Sequence, residues 1–219
     1  MIPDRDAYFR RWAALHGGYD PATQGRLVRW WLSMAYAVAA PLARAGVAPG
    51  AVTAAAVVLA YAVPAIALAG GAWAGAAAVA AAASGLADNL DGAVAILRDR
   101  TTGWGYVIDS VADRAADAAY LLALWWLGAP GGLCVGAGAG VVLLEYGRAR
   151  AGNAGLTEIG VVTVGERPTR VIVTVAALLA AGLHPGRAAL LAGLGAAATL
   201  GVTLTGSAQL AVVVRRTLR

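Results

Sequence analysis

The stretch Ser84–Tyr120, SGLADNLDGAVAILRDRTTGWGYVIDSVADRAADAAY, sets Asp88, Asp91, Asp109, Asp113 and Asp117 into two segments rich in Ala, Val, Leu and Gly. A charged side chain at a bilayer centre costs roughly 2.5–3.5 kcal/mol on insertion scales, so these carboxylates must face something polar. Asp88 and Asp91 are three residues apart, and Asp109 and Asp113 are four apart. On a helix, each spacing projects both carboxylates from one face, with Cβ atoms about 5–6 Å apart. Two adjoining helices can therefore offer four converging carboxylates.

The surrounding composition decides what kind of helices these are. The chain has 219 residues, 60% of them hydrophobic and 13% charged, past what a soluble domain with a polar exterior carries. A spanning helix needs about 20 apolar residues, which leaves room for roughly six spans. The apolar stretches are long Ala/Val/Leu/Gly runs rather than short alternating strands, which excludes a β-barrel. The expected fold is an all-α integral membrane protein with spans over residues 50–70, 73–97, 104–127, 131–152, 167–183 and 187–213. GG at 70–71, GAPGG at 128–132 and HPG at 184–186 mark short returns between antiparallel helices. Two parts are expected: an N-terminal segment, residues 1–49, and a six-helix transmembrane catalytic domain, residues 50–219.

All 17 basic residues are arginine and the net charge is +5. Their positions follow the membrane rather than a nucleic acid. Arg5, Arg10, Arg11, Arg26, Arg29 and Arg44 precede the first span, Arg98 and Arg100 follow the second, and Arg215, Arg216 and Arg219 end the chain. The loops around Gly70 and Pro130 carry none and Arg187 is the one loop exception, so the positive-inside rule places both termini of an inner-membrane protein in the cytoplasm. Residues 20–46 combine Arg26, Arg29 and Arg44 with Trp30, Trp31 and Tyr36 and read as a cytoplasmic interfacial helix, with a short seventh span as the competing reading. Met1–Asp20 has neither an apolar core nor a small-residue cleavage site, so no removable signal is expected. Cys134, the single cysteine, excludes an intrachain disulfide and reads as a packing residue.

Oxygen-only clusters suit hard cations, and Mg²⁺ or Mn²⁺ is commonly held by carboxylates together with substrate phosphates. Asp88, Asp91, Asp109 and Asp113 are the candidate metal ligands. Two ions about 3.5–4 Å apart clamp the attacking and leaving oxygens of an in-line displacement, and a remaining carboxylate can take the proton of an incoming hydroxyl. Gly92 and Gly105 flank the cluster, and Gly85, Ala95 and Ala112 keep the helix surfaces small enough for a nucleotide to approach. Close helix packing is the alternative explanation for those small residues. Gly132, Gly136 and Gly140 likewise read either as packing within the chain or as a dimer seam.

These residues resemble the CDP-alcohol phosphotransferases, also called CDP-alcohol phosphatidyltransferases, whose pattern is DxxDGxxAR followed by GxxxDxxxD. Asp88-x-x-Asp91-Gly92-x-x-Ala95 and Gly105-x-x-x-Asp109-x-x-x-Asp113 match seven of the eight defining positions. The broader layout, with Ala48-Pro49 and Thr53 before the first span, also looks like that family. The resemblance implies metal ligation by Asp88, Asp91 and Asp109, with Asp113 joining them or acting as general base. It implies a cytidine site lined by Asp88, Gly92, Ala95 and Gly105, a CDP-alcohol donor such as CDP-diacylglycerol, and a homodimer. Ile96 departs from it by occupying the arginine position. At about 100° per residue, position 98 points about 200° away from 96 and position 100 about 40° away, so Arg100 is the better substitute if the helix continues that far.

Asp117 reads either as a supporting carboxylate or as the partner of Arg114, three residues earlier. Glu145, Tyr146, Arg148 and Arg150 end the fourth span, and Glu166, Arg167 and Arg170 begin the fifth. These are membrane-edge anchors or, for Arg148, Arg167 and Arg170, ligands for a phosphorylated polar acceptor. YxRAR followed by ERPxR resembles the phosphatidylinositol-phosphate synthase branch, whereas Leu210 after Gln209 departs from it. His16 and His184 have no partner spacing and receive no role. An ion or solute transporter using intramembrane aspartates, and a non-catalytic relative that binds CDP-alcohol, are the competing functions. No inverted repeat of the aspartate segment supports transport.

Overall fold

The computed structural model describes residues 2–15, 26–156 and 163–218. They form α1 (Arg5–Leu15), α2 (Arg26–Arg44), α3 (Pro49–Ala67), α4 (Trp73–Leu97), α5 (Gly103–Trp126), α6 (Gly131–Asn153), α7 (Arg167–Leu183), a 3-10 turn (Pro185–Arg187) and α8 (Ala188–Thr217). No strand occurs among the described residues. The expected segments 73–97 and 167–183 coincide with α4 and α7, and the others differ from their helices by one to four residues at an end. His16, Arg219 and the first part of the expected interfacial helix lie outside the described residues. By length and composition, Pro49–Ala67 with 19 residues and Pro185–Thr217 with 33 are apolar enough to cross a membrane.

Helix α1 is an element that the sequence reading did not anticipate. Asp4 caps it by accepting the Ala7 backbone N–H at 2.7 Å, and Tyr8 and Phe9 are its buried residues. At the other ends the turn chemistry is explicit. Gly128 has φ +104°, the left-handed conformation that ends α5, and a Cβ there would lie 2.7 Å from Ala189 Cβ.

The chain divides into two compact units. One comprises the described parts of Met1–Ala56 and Leu86–Ser110, and the other those of Val57–Gly85, Val111–Thr157 and Val161–Arg219. The first unit has an apolar core of Tyr8, Phe9, Leu32, Leu90, Val94, Ile96 and Leu97 among smaller residues. The Tyr8 and Tyr36 rings sit 5.7 Å apart, and Tyr36 donates to the Pro3 carbonyl at 3.3 Å.

The second unit packs around alanines with Val63, Tyr120, Leu124 and Leu178. Its helices approach closely because their facing residues are small, which maximises dispersion where lipid supplies no hydrophobic drive. A Cβ on Gly195 would come 2.5 Å from Ala177 Cβ, and one on Gly182 would come 2.3 Å from the Gly75 backbone nitrogen. A Cβ on Gly140 would lie 2.7 Å from Thr203 Oγ1, so this glycine serves contact within the chain.

Candidate functional site

The late turns of α4 and the first turns of α5 assemble the carboxylates of the first unit. Asp88, Asp91 and Asp109 each offer an oxygen, and these oxygens lie within 4.8 Å of one another. An ion bonded to oxygens at about 2.1 Å holds them about 3–4 Å apart, so small side-chain rotations would close this trio on a hard divalent cation. Asp91 is buried, and its Oδ2 accepts the Thr53 hydroxyl at 2.6 Å. Thr53 also donates to the Pro49 carbonyl, at 3.3 Å. In the sequence Thr53 is only part of the layout at the first span; its orientation of Asp91 emerges only when α3 and α4 are folded.

The small residues around the trio have distinct environments. Gly92 is exposed, with no heavy atom within 4 Å of where a Cβ would sit. Gly105 donates its backbone N–H to Thr102 Oγ1 at 3.0 Å, in the opening turn of α5. Ala95 is half-buried on α4. Ile96 is 7% exposed in the apolar core, and its carbonyl accepts Arg11 Nη1 at 3.2 Å. Arg98 Nη1 donates to the carbonyls of Gly46 and Val47, tying the end of α4 to the α2–α3 turn; α4 ends at Leu97 and Asp99 turns left-handed, so the helical register that favoured Arg100 as a substitute at position 96 does not reach it.

In the second unit, acids and arginines form a network. Asp113, one turn beyond Asp109 on α5, pairs with Arg167 and has Arg114 Nη2 at 3.6 Å. Asp117 Oδ2 accepts Arg114 Nε at 3.2 Å and Arg170 Nη2 at 3.1 Å. Arg170 is 1% exposed and also reaches Glu145 Oε1 at 3.2 Å and the Gly165 carbonyl. Its burial among these partners gives it the work of aligning α5, α6 and α7. Arg148 grips Glu166 through two bonds of 2.8 and 2.6 Å. Burial alone pushes the Glu166 carboxyl up, but the Arg148 bonds and charge, with the Thr163 N–H and hydroxyl, outweigh it and hold it below its ordinary range. The signal available in the sequence was the clustering of Glu145, Arg148, Glu166, Arg167 and Arg170 at two helix ends.

Fold and site together define an all-helical protein carrying a carboxylate cluster with the chemistry of a divalent metal centre. Residues 46–208 match the CDP-alcohol phosphatidyltransferases, and the chain belongs to that family of transferases. It is 39% identical over 106 residues to archaetidylinositol phosphate synthase of Methanothermobacter thermautotrophicus, covering 47% of this chain and 53% of that protein. It is 34% identical over 110 residues to phosphatidylinositol phosphate synthase of Streptomyces avermitilis, covering 45% and 43%. The matched stretches thus span about half the length of those relatives. The fold resembles crystal structures of Mycobacterium tuberculosis phosphatidylinositol phosphate synthase, one with CDP-DAG bound and one with manganese and citrate. Each has a TM-score of 0.67 at 24% identity, covering 83% of this chain and respectively 94% and 88% of the other.

Proposed function

We propose that this chain is an integral membrane CDP-alcohol phosphotransferase that moves a phosphatidyl group from CDP-diacylglycerol to the hydroxyl of a polar alcohol or sugar phosphate, releasing CMP. The observation that carries this reading is the gathering of Asp88, Asp91 and Asp109 within 4.8 Å, on the spacing of the family pattern. In this reading Asp88, Asp91 and Asp109 would hold Mg²⁺ or Mn²⁺, with Asp113 joining them or acting as general base, and two ions would suit an in-line displacement at phosphorus. The metal supplies charge neutralisation at the phosphates when bound.

The chain's own residues do the rest. Gly92 and Gly105 leave room for the cytidine, alongside Asp88 and Ala95. The acceptor hydroxyl attacks the phosphorus that carries the diacylglycerol, the anhydride P–O bond to CMP breaks, and the hydroxyl proton passes to Asp113. Arg148 and Arg167 hold the acceptor phosphate, while the buried Arg170 fixes Asp117 and Glu145 behind them. Six spans, a cytoplasmic interfacial helix, an inner-membrane location with the site on the cytoplasmic side, and a homodimer complete the reading. Placement at the cytoplasmic edge leaves acyl chains in lipid while phosphates meet water and metal.

The test is to incubate the purified protein with CDP-diacylglycerol, Mg²⁺ or Mn²⁺ and a panel of polar alcohols and sugar phosphates, then identify products by mass. Metal-dependent CMP with a matching phosphatidyl product is expected. A folded, metal-binding protein that forms no CMP with any acceptor would mark a non-catalytic relative, and metal-coupled ion flux without CMP would mark a transporter.

A further inference from the structure

A second polar feature of the first unit lies apart from the carboxylate trio. A cleft of about 490 Å³ opens at the end of α4, where Arg11, Arg98 and Arg100 face it alongside Asp99, Ala43 and Leu97. Three guanidinium groups against one carboxylate leave a local excess of two positive charges. None of the three is ion-paired to an acid among the described residues.

Two of these guanidinium groups are already held in place by backbone. Arg11 Nη1 bonds the Ile96 carbonyl, and Arg98 Nη1 bonds the carbonyls of Gly46 and Val47. A guanidinium carries five N–H donors, so each keeps its Nη2 and Nε donors for another acceptor. Asp99 sits at φ +54°, the left-handed conformation that commonly ends a helix. Its turn, closed by Arg100 N donating to the Ala95 carbonyl at 2.9 Å, puts arginines on either side of it at the cleft. Membrane-edge anchoring accounts for arginines near a helix end, but does not require three guanidinium groups lining one cleft, two of them held by backbone carbonyls.

We propose that this cleft is an anion site, separate from the metal centre, that takes a phosphate group through Arg11, Arg98 and Arg100. Planar forked donors match phosphate oxygens better than any other side chain. The apolar wall of Ala43 and Leu97 suits the glycerol end of a phospholipid headgroup as well as free phosphate, and the shared chemistry is the phosphate itself.

The test uses the full chain in maltoside micelles, which carry neither charge nor phosphate, with divalent metal removed so that the aspartates hold no phosphate. Calorimetric titrations follow inorganic phosphate in one arm and short-chain phosphatidic acid in the other. Arg100→Gln, whose side chain makes no hydrogen bond among the described residues, and Arg11→Lys, which keeps the charge but loses the fork, are compared with wild type at matched Tm. A saturable site weakened about tenfold in Arg100→Gln, as losing a charge-assisted hydrogen bond requires, is expected in at least one arm, distinct from any phosphate held at Arg148 and Arg167, which neither variant alters. The arm that responds identifies the source as lipid headgroup or free phosphate. Identical affinity and stoichiometry in wild type and both variants, or no saturable binding in either arm, overturns the proposal. The outcome does not depend on the transferase reading, because no donor or metal is present and phosphate bound at Arg148 and Arg167 would respond to neither variant.

Discussion

At the scale of single residues, the most consequential contact is Thr53 Oγ1 to Asp91 Oδ2 at 2.6 Å. A hydrogen bond from a neighbouring side chain fixes the rotamer of a ligating carboxylate, and losing such a partner typically weakens metal binding about 10–100-fold. Thr53→Val keeps the shape of the side chain and removes the hydroxyl. It is expected to weaken Mn²⁺ binding within that range, read by the paramagnetic resonance signal of the free ion, with little change in Tm. An unchanged Mn²⁺ affinity would show that Thr53 serves only its helix. Ile96 poses the opposite question, because restoring the family's arginine there looks like a repair. Yet Ile96 is 7% exposed in an apolar core, where an unpaired charge costs roughly 3–5 kcal/mol. Ile96→Arg is therefore expected to lower Tm sharply and to yield no gain in CMP formation. A stable variant with higher activity would mean that the guanidinium finds a route to the phosphates.

At the scale of helices, the glycines divide into those that admit a neighbour and those that leave a space. Gly92 meets no atom within 4 Å of a built Cβ, whereas Gly182 would bring one to 2.3 Å from the Gly75 nitrogen. Gly to Ala in a helix gains about 1 kcal/mol where there is room, and overpacking costs about 1–3 kcal/mol where there is none. Gly92→Ala should thus be more stable than wild type yet bind the CDP-alcohol at least about tenfold more weakly, equivalent to 1.4 kcal/mol. Gly182→Ala should lose stability and show the same donor affinity wherever it remains folded. Thermal unfolding and donor titration separate the two, and equal donor binding in Gly92→Ala would remove that glycine from the nucleotide site. Much of this scale was legible beforehand. The aspartate spacings, the apolar run lengths and the Gly/Pro breaks placed α3 to α8 within a few residues. Helix α1 was not legible, because Tyr8 and Phe9 are its only buried residues, too few to set up a helical period. Nor was the arrangement of Asp117, Glu145 and Arg170, since α5, α6 and α7 supply one member each and no sequence spacing relates them.

For the whole molecule, charge placement makes two claims that can be measured. Glu166 has a folded pKa below its ordinary 4.5, so its ionised form is favoured by folding. Its contribution to stability is complete above the unfolded value and disappears as pH falls through the lowered folded one. Wild type should lose Tm on acidification across that interval more steeply than Glu166→Gln, and parallel curves would show that the Arg148–Glu166 pair leaves stability unaffected. The second claim concerns orientation. Positive charge retained on one side of the membrane predicts that Arg5 and Arg215 face the cytoplasm, and that the arginine-free turn near Ala72 faces the other side. Cys134 is the single cysteine and is buried, so cysteines introduced one at a time at these exposed positions report with little background. In intact cells an impermeant maleimide should label Ala72→Cys and spare Arg5→Cys and Arg215→Cys, which should react only after the membrane is opened. Labelling of Arg5→Cys and Arg215→Cys on opposite sides would require an odd number of spans. That result would remove six spans from the reading while leaving the carboxylate trio as it stands, because Asp88, Asp91 and Asp109 are brought together by two neighbouring helices and not by the span count.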